Sequence, residues 1–281
     1  FLCFVAVFFI AGIECGVVAA RGGIQWAVGG RAGGGGVLTT ANYEARRCGV
    51  RSAMSTGDAM HLCTHLTVVP PQFNKYRDAS RAMRAIFGEY TDMIEPLSLD
   101  EAYLDVTESS GAHVTATRIA TQIRANVEDE LDITVSAGVS VNKFIAKVAS
   151  DWQKPNGLTV VTPEQVDLFV KALPVQKIPG VGAVTAQKMP RYGLKPCNDI
   201  RDWDLHELIR RFGKFGVVLH ERARGNDERP VQPSRTRKSI SVETTFSEDL
   251  AGPSVWEPVV DTLFEQLLER IAAANAVDSI H

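Results

Sequence analysis

The chain has five cysteines, Cys3, Cys15, Cys48, Cys63 and Cys197, and no Cys-x-x-Cys pair. An odd, scattered set argues against a disulfide framework and for a reducing compartment, here the cytoplasm. The alternating His61, Cys63 and His65 match no zinc-binding spacing. No apolar run is long enough for a membrane helix of about 20 residues; Phe1–Ile13 is interrupted by Glu14. No Lys or Arg precedes that run, as the start of a secretory leader would require, although small residues follow at Val18-Ala19-Ala20. A buried strand entering a helix suits the same pattern. The chain also opens without Met, so the expectation is that its natural start is not shown. The glycine-rich run from Gly29 to Gly36 is followed by no Gly-Lys-Ser/Thr, which leaves a flexible connector rather than a phosphate loop.

What is present describes a globular protein. Of 281 residues, 45% are hydrophobic and 22% charged, enough for a real core and about two domains, or more if they are small. The net charge of −3 hides an asymmetry. Residues 140–240 hold 18 Lys and Arg against 10 Asp and Glu, while the remainder holds 12 against 23. An acidic part and a basic part imply separate tasks, metal or catalysis in one and a polyanion in the other.

Periodicity gives the elements. Val37–Thr40 reads as a strand and Tyr43–Val50 as a short helix ending at Gly49. Tyr76, Met83, Ile86, Phe87 and Tyr90 form one helical face, and Ile119, Ile123, Val127 and Leu131 repeat every four residues. Between these helices, Met93–Val106 predicts a hairpin. After them, Ile133–Val139 predicts a strand, and Asn142–Ser150 a helix with Lys143 and Lys147 one turn apart. The order β–α–β–β–α–β predicts an α+β fold, a mixed sheet covered by helices on one side. From Thr162-Pro163, a helix start with a Thr cap, the chain reads as short helices joined by glycine turns. Arg229–Ser234 reads as a linker. An alternating strand over Ser239–Thr245 and a helix over Trp256–Ala274 follow, too little for an independent domain.

Two motifs carry chemistry. Asp100 and Glu101 stand side by side at the expected hairpin tip. Adjacent carboxylates resist ionising together unless a cation holds them, and hard oxygen ligands favour Mg²⁺ or Mn²⁺. A solvated acidic turn is the plain alternative. Ile178-Pro179-Gly180-Val181-Gly182, followed by a helix over Val184–Met189, exposes backbone N–H groups suited to phosphate. Lys177 and Lys188 flank it, Pro190 must end or kink the helix, and Arg211–Gly216 is a weaker second copy. The first motif resembles a DNA-binding helix-hairpin-helix; a plain glycine turn is the alternative.

Together, five segments resemble Y-family DNA polymerases, closest to their bacterial translesion members. They are Thr40–Arg46, Ser98–Asp105, Ser136–Val139, Lys154–Gly157 and Lys177–Gly182, and the likeness runs from about Ile13 onward. The resemblance implies a right hand. The palm is 1–7 with 71–162, the fingers 8–70, the thumb 163–230, the linker 231–236 and a partial little finger 237–281. It implies error-prone, template-directed synthesis across damaged DNA, with primer-template DNA and deoxynucleoside triphosphates as partners. It implies two Mg²⁺ ions, catalytic and metal roles for Asp100 and Glu101, and a triphosphate grip by Tyr43, Arg46 and Lys154. Lys177, Gly180, Gly182 and Lys188 fall on the implied DNA contacts. A monomer with no membrane attachment is expected. Any sliding-clamp contact is expected in C-terminal regions beyond those expected in this chain.

The likeness fails at one place. The family opens with Asp-x-Asp followed by paired aromatics. Alignment back from Glu14 puts Val5 and Val7 at the two Asp positions and Phe9 and Ile10 at the aromatics, Ile10 at the ribonucleotide-excluding position. The expectation is therefore a chain with little polymerase activity. The alternatives are a catalytically inactive DNA-binding remnant, a disturbed N-terminal sequence, and a secreted or membrane-attached protein read from Phe1–Ala20.

Overall fold

The computed structural model describes residues 2–7 (backbone only), 23–33, 35–109, 115–234, 238–246 and 250–274. In chain order its strands are β1 (Leu2–Val7), β2 (Trp26–Gly29), β3 (Leu38–Ala41), β4 (Thr67–Val69), β5 (Ile94–Pro96), β6 (Glu101–Asp105), β7 (Val135–Ser140) and β8 (Leu158–Val160). The first helices are α1 (Tyr43–Arg47), α2 (Thr56–Leu62), α3 (Phe73–Gly88), α4 (Ala116–Leu131) and α5 (Lys143–Ser150). The later ones are α6 (Val166–Ala172), α7 (Ala183–Lys188), α8 (Cys197–Arg201), α9 (Leu205–Phe212), α10 (Phe215–Ala223) and α11 (Pro253–Ala273). They fall into two compact units, Phe1–Gly16 with Asn74–Ser234, and Val17–Phe73 with Arg235–His281.

The first unit is built on a sheet of order β5-β6-β1-β7-β8. β1 is central and antiparallel to β6 and β7, while β8 runs parallel to β7. On one face, α3 and α4 cover Ala102, Leu104, Ala137 and Val139 with Tyr76, Met83, Phe87, Ile119, Ile123 and Val127. The four-residue repeat of α4 thus turns inward as its pattern predicts, capped by Thr115, whose hydroxyl accepts from Arg118 N–H. Each such buried aliphatic side chain contributes about 1.5–3 kcal/mol.

The sheet is covered on both sides, not one. Because β6 and β7 alternate, Tyr103, Ser136, Gly138 and Ser140 fall on the opposite face, against α5. A Cβ at Gly138 would lie 2.0 Å from the Ala146 carbonyl oxygen and 2.5 Å from Ser150 N, so the missing side chain is what lets α5 lie on the sheet. Asn142 caps α5, accepting from Ile145 N–H, and donates to the Gly225 carbonyl at 2.8 Å. The outer side of α5 offers Phe144, Ile145, Val148 and Ala149 to the helical region, where they pack with Val170, Leu173, Ile178, Leu194, Leu208 and Leu219. The region after Thr162 therefore shares its core with α5.

The chain leaving that region is anchored as well. Asp227, its side chain wholly buried, pairs with Arg222 and Arg229 at 2.8 Å each. Val231 is buried against Tyr103 and Ala146. Gln232 N–H donates to Glu95 Oε2 at 2.8 Å, and the same carboxylate pairs with Lys143. The segment read as a linker from Arg229 is thus seated on the sheet up to Gln232, because one apolar residue and one carboxylate hold it there.

In the second unit the sheet order is β3-β2-β4, with β2 antiparallel to β3 and parallel to β4. The glycine run lies between β2 and β3, where Gly30 N–H donates to the Val37 carbonyl at 3.3 Å. A Cβ at Gly36 would fall 2.4 Å from the Arg31 carbonyl oxygen. The predicted strand over Ser239–Thr245 is not formed: among the described residues no strand lies alongside it, and an unpaired strand has nowhere to place its hydrogen bonds. α11 begins at Pro253, three residues before the predicted Trp256, and Arg270 donates to the Ser241 carbonyl at 2.7 Å. No described helix is long and apolar enough to cross a membrane. Of the stretch Phe1–Ala20 behind the secretory reading, Leu2–Val7 form the central strand β1, and the rest lies outside the described residues.

Two stability outcomes are expected. Gly138→Ala should cost about 3 kcal/mol or more, because backbone on both sides must move; equilibrium urea unfolding measures it. Lys143→Met removes the ammonium from a carboxylate that is 1% exposed and should cost about 3–5 kcal/mol in the same measurement.

Candidate active site and nucleic-acid surface

The acid pair sits where β5 turns into β6. Pro96 stands opposite Ala102, Leu97 N–H donates to the Glu101 carbonyl, and Asp100 lies in the turn just before β6. Both acids are half-exposed. The Ser98 hydroxyl donates to Asp100 Oδ1 at 2.5 Å, which fixes that carboxylate within its own turn. Glu101 is the first residue of β6 and falls on the α5 face by alternation. There Lys147 Nζ reaches its Oε2 at 2.7 Å. In the sequence Lys147 stands out only as one of two lysines a turn apart. Its partner depends on α5 lying on the sheet.

Behind Glu101 on the same face is a charged layer. Tyr103 stands opposite Glu95 in register, and Lys143 Nζ lies 5.2 Å from the Tyr103 ring centre. Burial pushes the Tyr103 phenol up to about 12, so it stays protonated at ordinary pH. Burial also lowers the Lys143 ammonium from its usual value. Next to β6, Val5 in the central strand stands opposite Ala102 on one side and Ala137 on the other. Ile10, Phe9 and the rest of 8–22 lie outside the described residues.

Lys154 follows α5 in the turn before β8 and pairs with Asp151 at 2.5 Å. Tyr43 and Arg46 belong to the other unit, on α1. Asn42 sets that helix: its side-chain oxygen accepts from Ala45 N–H at 3.0 Å and Trp26 N–H at 3.1 Å, and its amide donates to the Ile24 carbonyl at 2.9 Å. Arg46 Nε donates to the Ala41 carbonyl at 2.9 Å, which directs the guanidinium along the end of β3. Burial lowers it from its ordinary value, yet arginine stays charged. The structure thus joins Asp100, Glu101 and Lys147 in one unit, with Lys154 beyond α5, and groups Tyr43 with Arg46 in the other.

The helical region carries the second motif. Gly180 has φ +97, and a Cβ there would meet the Phe215 ring at 2.9 Å, so glycine is required both by backbone and by space. Phe215 opens α10, so the two glycine turns touch. Gly182 caps α7, and Pro190 ends it in a tighter turn over Met189–Tyr192. Lys177 and Lys188 are both exposed. The Lys188 ammonium lies 5.9 Å from the Phe212 ring centre and 6.0 Å from that of Tyr192. Arg211 covers the Tyr192 ring at 4.8 Å. Two cations over aromatic rings beside the joined turns make one positive face.

Comparison with known proteins gives this arrangement a family. The impB/mucB/samB family pattern matches residues 20–151, and the pattern of the DNA polymerase-iota thumb domain matches residues 176–227. DNA polymerase IV of Pectobacterium atrosepticum is 52% identical over 248 residues, spanning 88% of this chain and 70% of that protein. DNA polymerase IV of Pseudomonas entomophila is 53% identical over 268 residues, spanning 95% and 76%. Among solved structures, a Y-family polymerase chimera of Dbh and Dpo4 superposes with a TM-score of 0.86 at 30% identity, covering 95% of this chain and 79% of that one. The insertion ternary complex of Dbh DNA polymerase gives 0.75 at 33% identity, covering 82% and 69%. The chain belongs to the Y-family of DNA polymerases.

Proposed function

We propose that the chain binds primer-template DNA and deoxynucleoside triphosphates as a translesion polymerase does, but with a catalytic centre weakened at one ligand. Asp100 and Glu101 are assigned to divalent metal binding, and Tyr43, Arg46 and Lys154 to the triphosphate. In this reading the palm is 1–7 with 71–162, the fingers 8–70, the thumb 163–230 and the start of the little finger 237–281. Arginine suits the phosphate role because its planar fork makes paired bonds to phosphate oxygens. The observation that carries the reading is the carboxylate turn beside the central strand, in a chain half identical to DNA polymerase IV proteins.

The donor set is the weak point. Asp100 and Glu101 offer hard oxygen donors that fit one divalent cation. They do not fit a pair, because the strand beside them brings an aliphatic residue, Val5, opposite Ala102. A cation held there supplies charge neutralisation to the transferring phosphoryl group. Without a metal, Lys147 Nζ is the positive group that faces Glu101. The rest of the chain's work is binding: Arg46 and Lys154 take the triphosphate charge, and the thumb face takes backbone phosphates.

Val5→Asp should raise Mg²⁺-dependent primer extension on the order of a thousandfold, several kcal/mol of barrier. Equal and robust rates in the two chains would refute the weakened-centre reading. Duplex binding should be insensitive to sequence and should fall steeply with salt, with a log–log slope of roughly −0.9 per neutralised phosphate. Lys177→Ala or Lys188→Ala should each weaken all duplexes alike and flatten that slope by about one unit; fluorescence anisotropy across a salt series checks it.

A further inference from the structure

We propose that Cys48 and Cys63 are a redox-modification site, a thiol pair that closes to an intrachain disulfide across the ends of α1 and α2. Cys48 is the C-cap of α1 and Cys63 the C-cap of α2. The two thiols lie close enough to interact, Cys48 being one of the groups that raise the Cys63 thiol. The backbone agrees: a Cβ at Gly49, next to Cys48, would lie 3.9 Å from Cδ1 of Leu62, next to Cys63. The two helix ends are thus in contact, and Ala45, Val50, Ala59 and Cys63 belong to one small core.

The two thiols differ in the way a reactive pair needs. Cys48 is exposed, and its Sγ also makes a long contact of 3.7 Å to the Glu44 carbonyl. Cys63 is buried, and burial pushes its thiol up, so it is the poorer first nucleophile. Cys48 is accordingly the sulfur that meets an oxidant. With a peroxide, the Cys48 thiolate takes one oxygen to give a sulfenic acid while the other leaves as water. Cys63 sulfur then attacks Cys48 sulfur and a second water leaves. Two thiols and one peroxide become one disulfide and two waters, and a thiol reductant reverses it. In a reducing compartment such a bond forms under oxidant load and is removed afterwards. It would tie α1, the helix of Tyr43 and Arg46, to α2. That consequence rests on the triphosphate role proposed for those two residues; the bond itself does not.

The test treats the intact chain with hydrogen peroxide, alkylates remaining thiols, and maps peptides without reduction. The expected result is a dominant Cys48–Cys63 cross-linked peptide in monomeric protein, lost after dithiothreitol and lost in Cys48→Ser. Cys48 is exposed, so that variant should keep its fold, which circular dichroism checks. Buried Cys197 serves as the internal control and should stay a thiol. Recovery of Cys48 as a sulfinic acid, or of Cys63 as a free thiol after Cys48 is consumed, overturns the proposal.

Discussion

The first unit depends on one close approach, the seating of α5 on the sheet at Gly138. A side chain there would collide with the Ala146 carbonyl, so the helix would be held away by roughly the thickness of a methyl group. Three things follow from that contact. Lys147 can reach Glu101, Lys143 can reach Glu95, and the outer side of α5 can become part of the helical region's core. A glycine in a strand is a weakness by propensity, and here the gain is a close-packed platform behind the Asp100–Glu101 turn.

The buried charges extend that platform. Glu95 and Lys143 sit almost wholly out of water, a state that two charges tolerate only together. Their carboxylate also takes the amide of Gln232, and Val231 rests on Tyr103. So the strand that carries Glu101 is held from behind by the chain leaving the helical region. Tyr103, two residues along β6 from Glu101, is the side chain on which that exit rests.

Charge division between the two jobs also has a structural basis. The acidic turn stands at the end of a sheet whose central strand brings only Leu2–Val7, with no carboxylate. The basic face lies in short helices whose turns Gly180 and Phe215 bring together. Val5 lies in the sheet and the basic face in the helices, so under the proposed reading a change at Val5 alters the carboxylate site without altering the basic face.

Local pattern carried much of this in the residues themselves. The four-residue repeat from Ile119 to Val127 made an amphipathic helix because packing needs one apolar face, while the Thr115 and Asn142 caps that start the two helices came with the structure. The place of Asp100 and Glu101 at a hairpin tip was legible from the two short apolar runs that flank them. Other features depended on distant neighbours. Ser239–Thr245 alternates as a strand should, yet it has no partner among the described residues. The Glu101–Lys147 and Glu95–Lys143 pairs join residues 46 and 48 positions apart, and no periodicity links them. Covering the sheet's second face, seating Gln232 and joining the two glycine turns were likewise decided in three dimensions. The sequence alone determined which segments could form elements and which side chains had the chemistry; only tertiary structure decided partners, since a contact is made by chains that meet in space.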